Sequence, residues 1–330
     1  MASNTTEWLY FFRRPSDDGR YQGWFSQGFI KHGIYATAVI TVFLMAVGGM
    51  TRVMNAGLAC PDWPLCYGSV LPAQMDALIF WEWFHRVIAT TVGAMTLGLT
   101  GLAWWGRKLL PRWLPWAMTG ALMLVLVQGA LGALTVTELL RFDIVTAHLG
   151  TATLFFAALL TIGMNLGPRP RVSQRVTALA WVALGAALVT YGQLILGGLV
   201  ASQWALNQCL GDSLQCQVMH NHLWGVAPTL AMVTLVVLVA WRSVDWHSPV
   251  AYGPMLALLL VALQVGLGLA TYMLQLQVPL LTVAHLVVGI GLFASMVVTT
   301  VLAFRAVAPN HAISAIGEAT PVSPATQHPG

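Results

Sequence analysis

The 330-residue sequence has too few charged residues to be a soluble protein. Residues of the set AVILMFWYC make up 58% of the chain, Asp, Glu, Lys and Arg together make up 8%, and the mean hydropathy is +0.74. A soluble chain carries roughly a quarter charged residues. The net charge of +4 gives no reason to expect nucleic acid as a partner. The composition therefore predicts an integral protein of the lipid bilayer.

Apolar stretches of roughly twenty residues, the length that a helix needs to cross a bilayer, recur along the chain. They predict eight spans, at residues 30–53, 79–105, 113–136, 143–166, 177–200, 218–241, 250–274 and 279–304. Residues 1–29 are polar and aromatic, so they are predicted to be an N-terminal segment and not a cleaved signal peptide. Residues 306–330 are small, polar and Pro-containing, which predicts a disordered tail.

The distribution of lysine and arginine predicts the orientation in the membrane. Twelve of the 15 basic residues fall in the tails or in alternate loops, and only Arg52, Arg86 and Arg141 lie on the other side. Cytoplasmic segments are enriched in Lys and Arg. Both termini are therefore predicted to be cytoplasmic.

All four cysteines then fall in outer loops, Cys60 and Cys66 in the first and Cys209 and Cys216 in the third. An oxidising compartment favours disulfides, so we expect the pairs Cys60–Cys66 and Cys209–Cys216. Each pair closes a short loop, for which the chain-entropy model gives about 2–2.5 kcal/mol. Two roles stay open for them, a structural crosslink or a pair that cycles between dithiol and disulfide.

An internal repeat divides the eight spans into two sets of four. VQGALGALTV at 127–136 resembles LQVGLGLATY at 263–272, IVTAHLG at 144–150 resembles LTVAHLV at 281–287, and each half has a Gly-Gly pair before its cysteine loop. An even number of spans per copy makes the copies parallel. The sequence therefore predicts an all-α fold of two parallel four-helix bundles, residues 30–170 and 171–305.

The histidines of the spans follow this repeat. His85 and His148 are 63 residues apart, as are His222 and His285. Each lies four to seven residues inside a predicted even-numbered span, about 6–10 Å below its outer end. Two imidazoles at one depth in a bundle can approach a flat macrocycle from both faces, which predicts bis-histidine haem ligation. Zinc is disfavoured because no Cys or carboxylate within the spans completes a tetrahedral site.

His220 is a second histidine beside the proposed ligand His222. It lies two residues earlier, about 200° away around the helix, so both cannot face one iron. The repeat spacing favours His222. His220 is then expected next to the ligand or at the lipid headgroups.

The two halves differ beside the histidines. Glu82 lies three residues before His85 on the same helix face, whereas its counterpart in the second half is Met219. Such a carboxylate could transfer protons, or it could only form an i,i+4 ion pair with Arg86, which contributes little. Gln128 and Gln264 recur in the repeat and are expected to bond across helices.

Several of these motifs, in their order along the chain, resemble one family. They are GLACPDWPLCYG around Cys60 and Cys66, E-x-x-H-R at 82–86, QGALGALTV, TAHLG around His148, the Cys209–Cys216 pair, HNHLW around His222 and VAHL around His285. Over about residues 30–304 the chain is similar to the haem A synthases, in their cysteine-bearing prokaryotic form. One departure is that no Arg follows His222, so the propionates of a second haem have no assigned partner.

The resemblance implies an oxidoreductase that converts the C8 methyl group of haem O to the formyl group of haem A, by successive hydroxylations, for cytochrome oxidase. It implies that His85 and His148 flank the substrate haem, that His222 and His285 hold a haem b, and that Glu82 takes part in the chemistry. Arg86, Gln128, Gln264 and His220 are expected at a propionate or next to a ligand.

The resemblance also implies surroundings and partners. These are a prokaryotic plasma membrane with haem sites near the outer face, a haem O–producing prenyltransferase and a membrane electron acceptor. A homo-oligomer is an open alternative.

Two other functions share part of this pattern. A di-haem membrane cytochrome b would use the same histidine pairs but needs no Glu82. A non-enzymatic haem carrier or oxidase assembly factor would release its haem unchanged. A transporter is disfavoured, because the sequence lacks the broken helices expected at a substrate site. Identification of the extracted haems separates these functions.

Overall fold

The computed structural model describes residues 14–15, 21–22, 26–170, 176–203, 213–245 and 247–307. Its helices are α1 Gln27–Val53, α2 Ala77–Trp105, α3 Leu114–Thr137, α4 Phe142–Asn165, α5 Thr177–Gln203, α6 Leu214–Trp224, α7 Val226–Ser243, α8 Tyr252–Met273 and α9 Pro279–Val307. Before α1, the two-residue strands β1 (Arg14–Pro15) and β2 (Tyr21–Gln22) pair antiparallel. The structure describes almost nothing else of the predicted segment 1–29 or of the predicted tail 306–330.

Eight helical segments of the described chain are long and apolar enough to cross a membrane, with α6 and α7 together forming the sixth. This confirms the predicted all-α, eight-span fold of a multi-pass membrane protein. Large exposed side chains support it, because Trp105, Trp116, Trp181 and Trp241 are exposed near helix ends that lie on one side of the bundle. Tryptophan is enriched at such membrane–water interfaces.

Helices α2 and α6, which carry His85 and His222, begin two and four residues earlier than predicted. Asp76 Oδ1 accepts hydrogen bonds from the N–H groups of Leu78 and Ile79, both at 2.8 Å, and Ser213 Oγ accepts from Cys216 N–H at 3.3 Å. These caps begin α2 at Ala77 and α6 at Leu214. The four span histidines therefore lie six to eight residues inside their helices, about 9–12 Å from the helix ends, slightly deeper than expected.

The sixth span is broken, which the sequence analysis did not predict. Helix α6 ends at Trp224 and α7 begins at Val226, with Gly225 between them. Pro228 follows three residues later, and a proline both lacks the N–H that would bond to Trp224 O and crowds that carbonyl. The break places His222 in the last turn of α6.

Helix contacts form two closed rings. In the first, α1 contacts α2, α2 contacts α3, α3 contacts α4, and α4 returns to α1; in the second, α5, the α6–α7 span, α8 and α9 close in the same order. Separate apolar cores fill the rings, one around Leu99 and Phe155 and one around Val236 and Phe293. The rings meet where α1 and α4 contact α9, and where α4 contacts α5. Two sets of four helices are compatible with the predicted repeat, which stays a prediction.

Candidate functional site

Each of the four span histidines packs against a glycine of the preceding span. A Cβ added at Gly48 would lie 2.8 Å from His85 Cε1, and one at Gly197 would lie 3.1 Å from His222 Cε1. The corresponding distances are 3.2 Å from Gly132 to His148 and 2.9 Å from Gly268 to His285. A methyl group would crowd every one of these rings, so a glycine is needed for this close approach. We call these four contacts the Gly–His pairs.

The ring nitrogens at these pairs fit metal ligation. The Nδ1 atoms of His85, His148, His222 and His285 are all buried and lack a hydrogen-bond partner. Buried polar groups normally have one. A backbone carbonyl one turn before each glycine interacts with the ring without reaching hydrogen-bond geometry; these carbonyls belong to Leu44, Gln128, Gln193 and Gln264. A carbonyl near such a ring can hold its orientation, as is common for histidines that bind a metal.

The second pair of rings has a spacing that suits one shared iron. The ring centroids of His222 and His285 are 6.3 Å apart and the rings are perpendicular, at 89°. With metal–imidazole bonds of about 2 Å, two rings on opposite sides of one ion have centroids about 6 Å apart. Gln264 Nε2 lies 3.4 Å from His285 Nε2, whereas His220 is exposed.

Glu82 joins the first histidine site to the first outer loop. Its side chain is 4% exposed. Oε2 accepts a hydrogen bond from the Cys60 N–H at 2.7 Å, and Oε1 accepts one from Arg86 Nη2 at 2.5 Å. Both alternatives for Glu82 are therefore compatible with its position, since it forms the i,i+4 ion pair and is also buried beside His85.

Arg86 holds the backbone of the same loop. Nη1 donates to the carbonyls of Asp62, at 2.5 Å, and of Leu65, while Nη2 also donates to Cys60 O at 3.3 Å. Cys60 and Cys66 form a disulfide, as predicted. We call residues 60–68 the disulfide loop. Both terminal nitrogens of the guanidinium are engaged by this loop and by Glu82, so only Nε–H is left over as a donor for a haem propionate in this arrangement.

The disulfide loop also bonds to itself. The Asp62 carboxylate accepts from Tyr67 N–H at 2.6 Å and from Gly68 N–H at 2.8 Å. These bonds, first of all the one from Gly68, lower the pKa of Asp62 below its ordinary value. Charge-assisted bonds of this kind favour the ionised carboxyl.

The second half lacks this network among its described residues. Met219 is buried at the position equivalent to Glu82, and Leu223 stands where the first half has Arg86. Cys216 is disulfide-bonded, but its predicted partner Cys209 lies outside the described residues. The two Gly–His sites thus share their ring contacts and differ in the surrounding polar groups.

Gln193 is a site residue that the sequence analysis missed. Its Nε2 donates to the carbonyl of His222 at 2.7 Å, and its Oε1 is buried without a partner. A detectable signal was present, because Gln193 and Gly197 repeat the spacing of Gln128 with Gly132 and of Gln264 with Gly268. At the fourth equivalent position, one turn before Gly48, stands Leu44.

The two halves also touch near the histidines. A Cβ at Gly49 would lie 2.9 Å from Leu286, and one at Gly198 would lie 2.9 Å from Leu149. Leu286 and Leu149 are the residues that follow His285 and His148. The second glycine of each Gly-Gly pair therefore packs against the opposite half. The two sites lie on either side of this junction.

Comparison with known proteins places the chain in a family. Residues 32–297, which run from α1 to α9, match the COX15-CtaA model, described as cytochrome oxidase assembly protein. A heme A synthase of Shewanella oneidensis is 33% identical over 192 residues, covering 52% of this chain and 57% of that protein. The heme A synthase of Rhizorhabdus wittichii is 28% identical over 329 residues, covering 81% and 92%. That of Rhizobium etli is 27% identical, covering 72% and 79%. The chain belongs to the COX15-CtaA family of cytochrome oxidase assembly proteins.

Proposed function

We propose that this chain is a haem A synthase, an oxidoreductase that converts the C8 methyl group of haem O to the formyl group of haem A by successive hydroxylations. Similar proteins of that name align over as much as 92% of their length. One observation carries the proposal. Among the described residues, only the first of the two sites with matched Gly–His pairs has a buried carboxylate, Glu82, bonded to a disulfide loop.

The first site binds the substrate. His85 and His148 hold the haem O iron from its two faces, and Gly48 and Gly132 let the rings approach at the required depth. Ligands on both faces fix the depth and the plane of the macrocycle, which keeps its edge at a constant level in the site. Glu82 lies one turn before His85 on the same face of α2 and borders that substrate.

Glu82 is suited to accept protons. Conversion of a methyl group to a formyl group takes its oxygen atom from water and releases four protons and four electrons, so a base beside the reacting carbon assists the reaction. The Cys60 N–H and Arg86 stabilise the charged carboxylate. Arg86 and the disulfide loop act by holding Glu82 in place and by covering the site from water.

The second site holds the resident cofactor. His222 and His285 fit a haem b by their ring separation and by their buried Nδ1 atoms. Bound there, haem b supplies one-electron transfer. Gln193 and Gln264 hold the two ligand helices, and a haem b held by them would be placed to pass electrons from the substrate half to an acceptor in the membrane.

The domain arrangement and topology follow from the same proposal. Residues 30–170 form the substrate half and residues 171–305 form the haem b half. Both termini are cytoplasmic, and the two sites lie near the outer face of a prokaryotic plasma membrane. A prenyltransferase that makes haem O supplies the substrate.

Haem extraction tests the function. The full chain is produced in a strain that makes haem O, purified, and its haems are identified by chromatography and mass. Haem b together with haem O, hydroxylated haem O or haem A is expected. The matched Gly–His pairs also suit a di-haem cytochrome b, and haem b alone at both sites would establish that alternative.

Paired variants test the division between the halves. Glu82→Gln should abolish haem A formation and leave haem b bound, whereas Met219→Gln at the equivalent position should retain haem A formation. His85→Ala should likewise spare haem b. Loss of haem b in His85→Ala would mean that the roles of the two halves are reversed.

A further inference from the structure

An apolar groove lies between α1, α4 and α9. It has a volume of about 710 Å³ and is lined by Tyr35, Ala38, Val39, Val42, Phe43, Ala46, Phe156, Leu160 and Val287. From Tyr35 to Ala46 it follows α1 for about 17 Å. Half of a bilayer core of about 30 Å is a similar length, so the groove has the reach of one lipid leaflet.

Two cations lie at the end of this groove. Lys31 precedes Tyr35 by four residues on the same face of α1, and its Nζ is 5.9 Å from the centre of the Tyr35 ring. On α9, Arg305 lies eighteen residues after Val287, which is five full helical turns, so both occupy one face. The groove therefore continues directly into Lys31 and Arg305.

Helix α4 brings these two cations together. The Tyr35 ring packs on Gly163, and a Cβ placed at Gly167 would lie 3.5 Å from Lys31 Nζ and 4.0 Å from Arg305 Nη1. Arg305 donates to the carbonyls of Met164 and Gly167 at the end of α4, which are neutral acceptors. Arg169 follows two residues after Gly167 and contributes to the potential at Arg305.

The charge of this cluster is not neutralised by the described protein. No acidic side chain in the described ranges pairs with Lys31, Arg169 or Arg305. Asp245 is the one acidic residue within the described ranges at this end of the bundle. Basic pockets between helices at the cytoplasmic side of a membrane attract anionic lipid headgroups.

We propose that this groove is a binding site for one anionic phospholipid of the cytoplasmic leaflet, with an acyl chain along Tyr35–Ala46 and the phosphate at Lys31 and Arg305. The apolar lining accounts for binding of the acyl chain, and the unneutralised cations account for the preference for a negative headgroup. No groove residue belongs to a Gly–His pair, so the proposal stands independently of the haem chemistry.

Native mass spectrometry of the full chain in detergent tests the site. The protein is mixed with equal amounts of dioleoyl phosphatidylglycerol and dioleoyl phosphatidylcholine. One phosphatidylglycerol should be retained preferentially, and Lys31→Gln should reduce that preference about fivefold. Lys108→Gln, at the same end of the bundle but outside the groove, is the matched control and should retain the preference for phosphatidylglycerol.

A second variant tests the apolar part of the groove separately from the cations at its end. Val39 is 70% exposed and lines the groove, so Val39→Phe should fold and displace the bound lipid. Val127→Phe places the same ring on an exposed position of α3 and should retain the lipid. Equal retention of both lipids by the unaltered chain, or an equal effect of Lys31→Gln and Lys108→Gln, would overturn the proposal. If Val39→Phe instead dissociates a dimer and the protein keeps its lipid, the groove is an interface with a second copy of this chain.

Discussion

Glu82 accepts a hydrogen bond from the backbone N–H of Cys60 at 2.7 Å, so the disulfide directly adjoins the carboxylate beside His85. The loop thereby acts on the site through this contact and through Arg86, which donates both to loop carbonyls and to Glu82. Because Cys60 is completely buried and Cys66 nearly so, the disulfide packs as part of the site wall. Changes in the loop should therefore change the chemistry of the first half and not of the second.

Replacing the first disulfide tests this contact. Cys60→Ser combined with Cys66→Ser restores about 2 kcal/mol of chain entropy to the open loop and should lower haem A formation at least tenfold, with haem b retained. Cys209→Ser with Cys216→Ser is the matched control and should leave most of the haem A formation. Equal losses in both double variants would show that the cysteines act only on folding. Haem composition per purified protein is the measurement.

The multiple bonds of Arg86 give a second prediction. Lysine keeps the positive charge but cannot bridge several carbonyls in a fixed fork. Arg86→Lys should therefore loosen the disulfide loop, accelerate reduction of Cys60–Cys66 by a membrane-impermeant phosphine, and lower haem A formation about tenfold. Arg141→Lys, at another outer position, serves as the control. Unchanged reduction together with loss of bound haem O would indicate that Arg86 binds a propionate.

Asp62 gives the loop a pH dependence. Its pKa is lowered in the folded loop, chiefly by the hydrogen bond from Gly68 and also by that from Tyr67. A lowered folded-state pKa stabilises the loop above the unfolded value, about 3.9, and this stabilisation is lost as the pH falls through the folded value. The rate of disulfide reduction should therefore be constant from neutral pH to about pH 5 and rise below about pH 4. In Asp62→Asn the disulfide should be reduced rapidly already at neutral pH. Equal reduction rates with and without the Asp62 carboxyl would contradict its proposed role in the loop.

The eight spans were predictable because a bilayer requires long apolar helices, and their ends moved only by a few residues. The helices differ from the prediction where a single residue determines the local backbone conformation. Asp76 and Ser213 begin their helices earlier through side-chain caps, and Pro228 with Gly225 breaks the sixth span. Hydropathy does not register these features, because each depends on hydrogen bonds that single residues make or remove.

The histidine spacing located the candidate sites, whereas the side chains that shape them escaped prediction. In the sequence the Gly-Gly pairs only mark the repeat. Gly48 and Gly197 contact imidazole rings because of the way α1 and α5 are rotated in their bundles, which the sequence pattern does not show. Gln193 was missed because its bond to the His222 carbonyl depends on how α5 packs against α6. Ligand roles for the histidines remain predictions.

The Gly–His pairs predict site-specific loss of haem. Gly48→Ala should press a methyl group against His85 and, since overpacking costs about 1–3 kcal/mol, should weaken substrate binding roughly tenfold to a hundredfold. Gly268→Ala should do the same to haem b through His285. Gly93→Ala is the control, because a Cβ there meets nothing within 4 Å. Spectroscopic haem content distinguishes the sites, and loss of both haems in either variant would mean that the glycines serve only helix packing.

Gln193 and Leu44 occupy equivalent positions, and exchanging their side chains tests what the amide does. Gln193→Leu removes the donor to the His222 carbonyl, and leaving such a buried carbonyl unsatisfied costs about 1–3 kcal/mol. We expect about tenfold weaker retention of haem b in a detergent wash and an altered low-spin spectrum from the remaining haem. Gln193→Glu tests rescue, since a protonated carboxyl can donate to the same carbonyl. Leu44→Gln should leave haem b unchanged, because α2 continues unbroken past His85. If Gln193→Leu keeps haem b and its spectrum but lowers only the yield of folded protein, the amide stabilises the helix break without positioning His222.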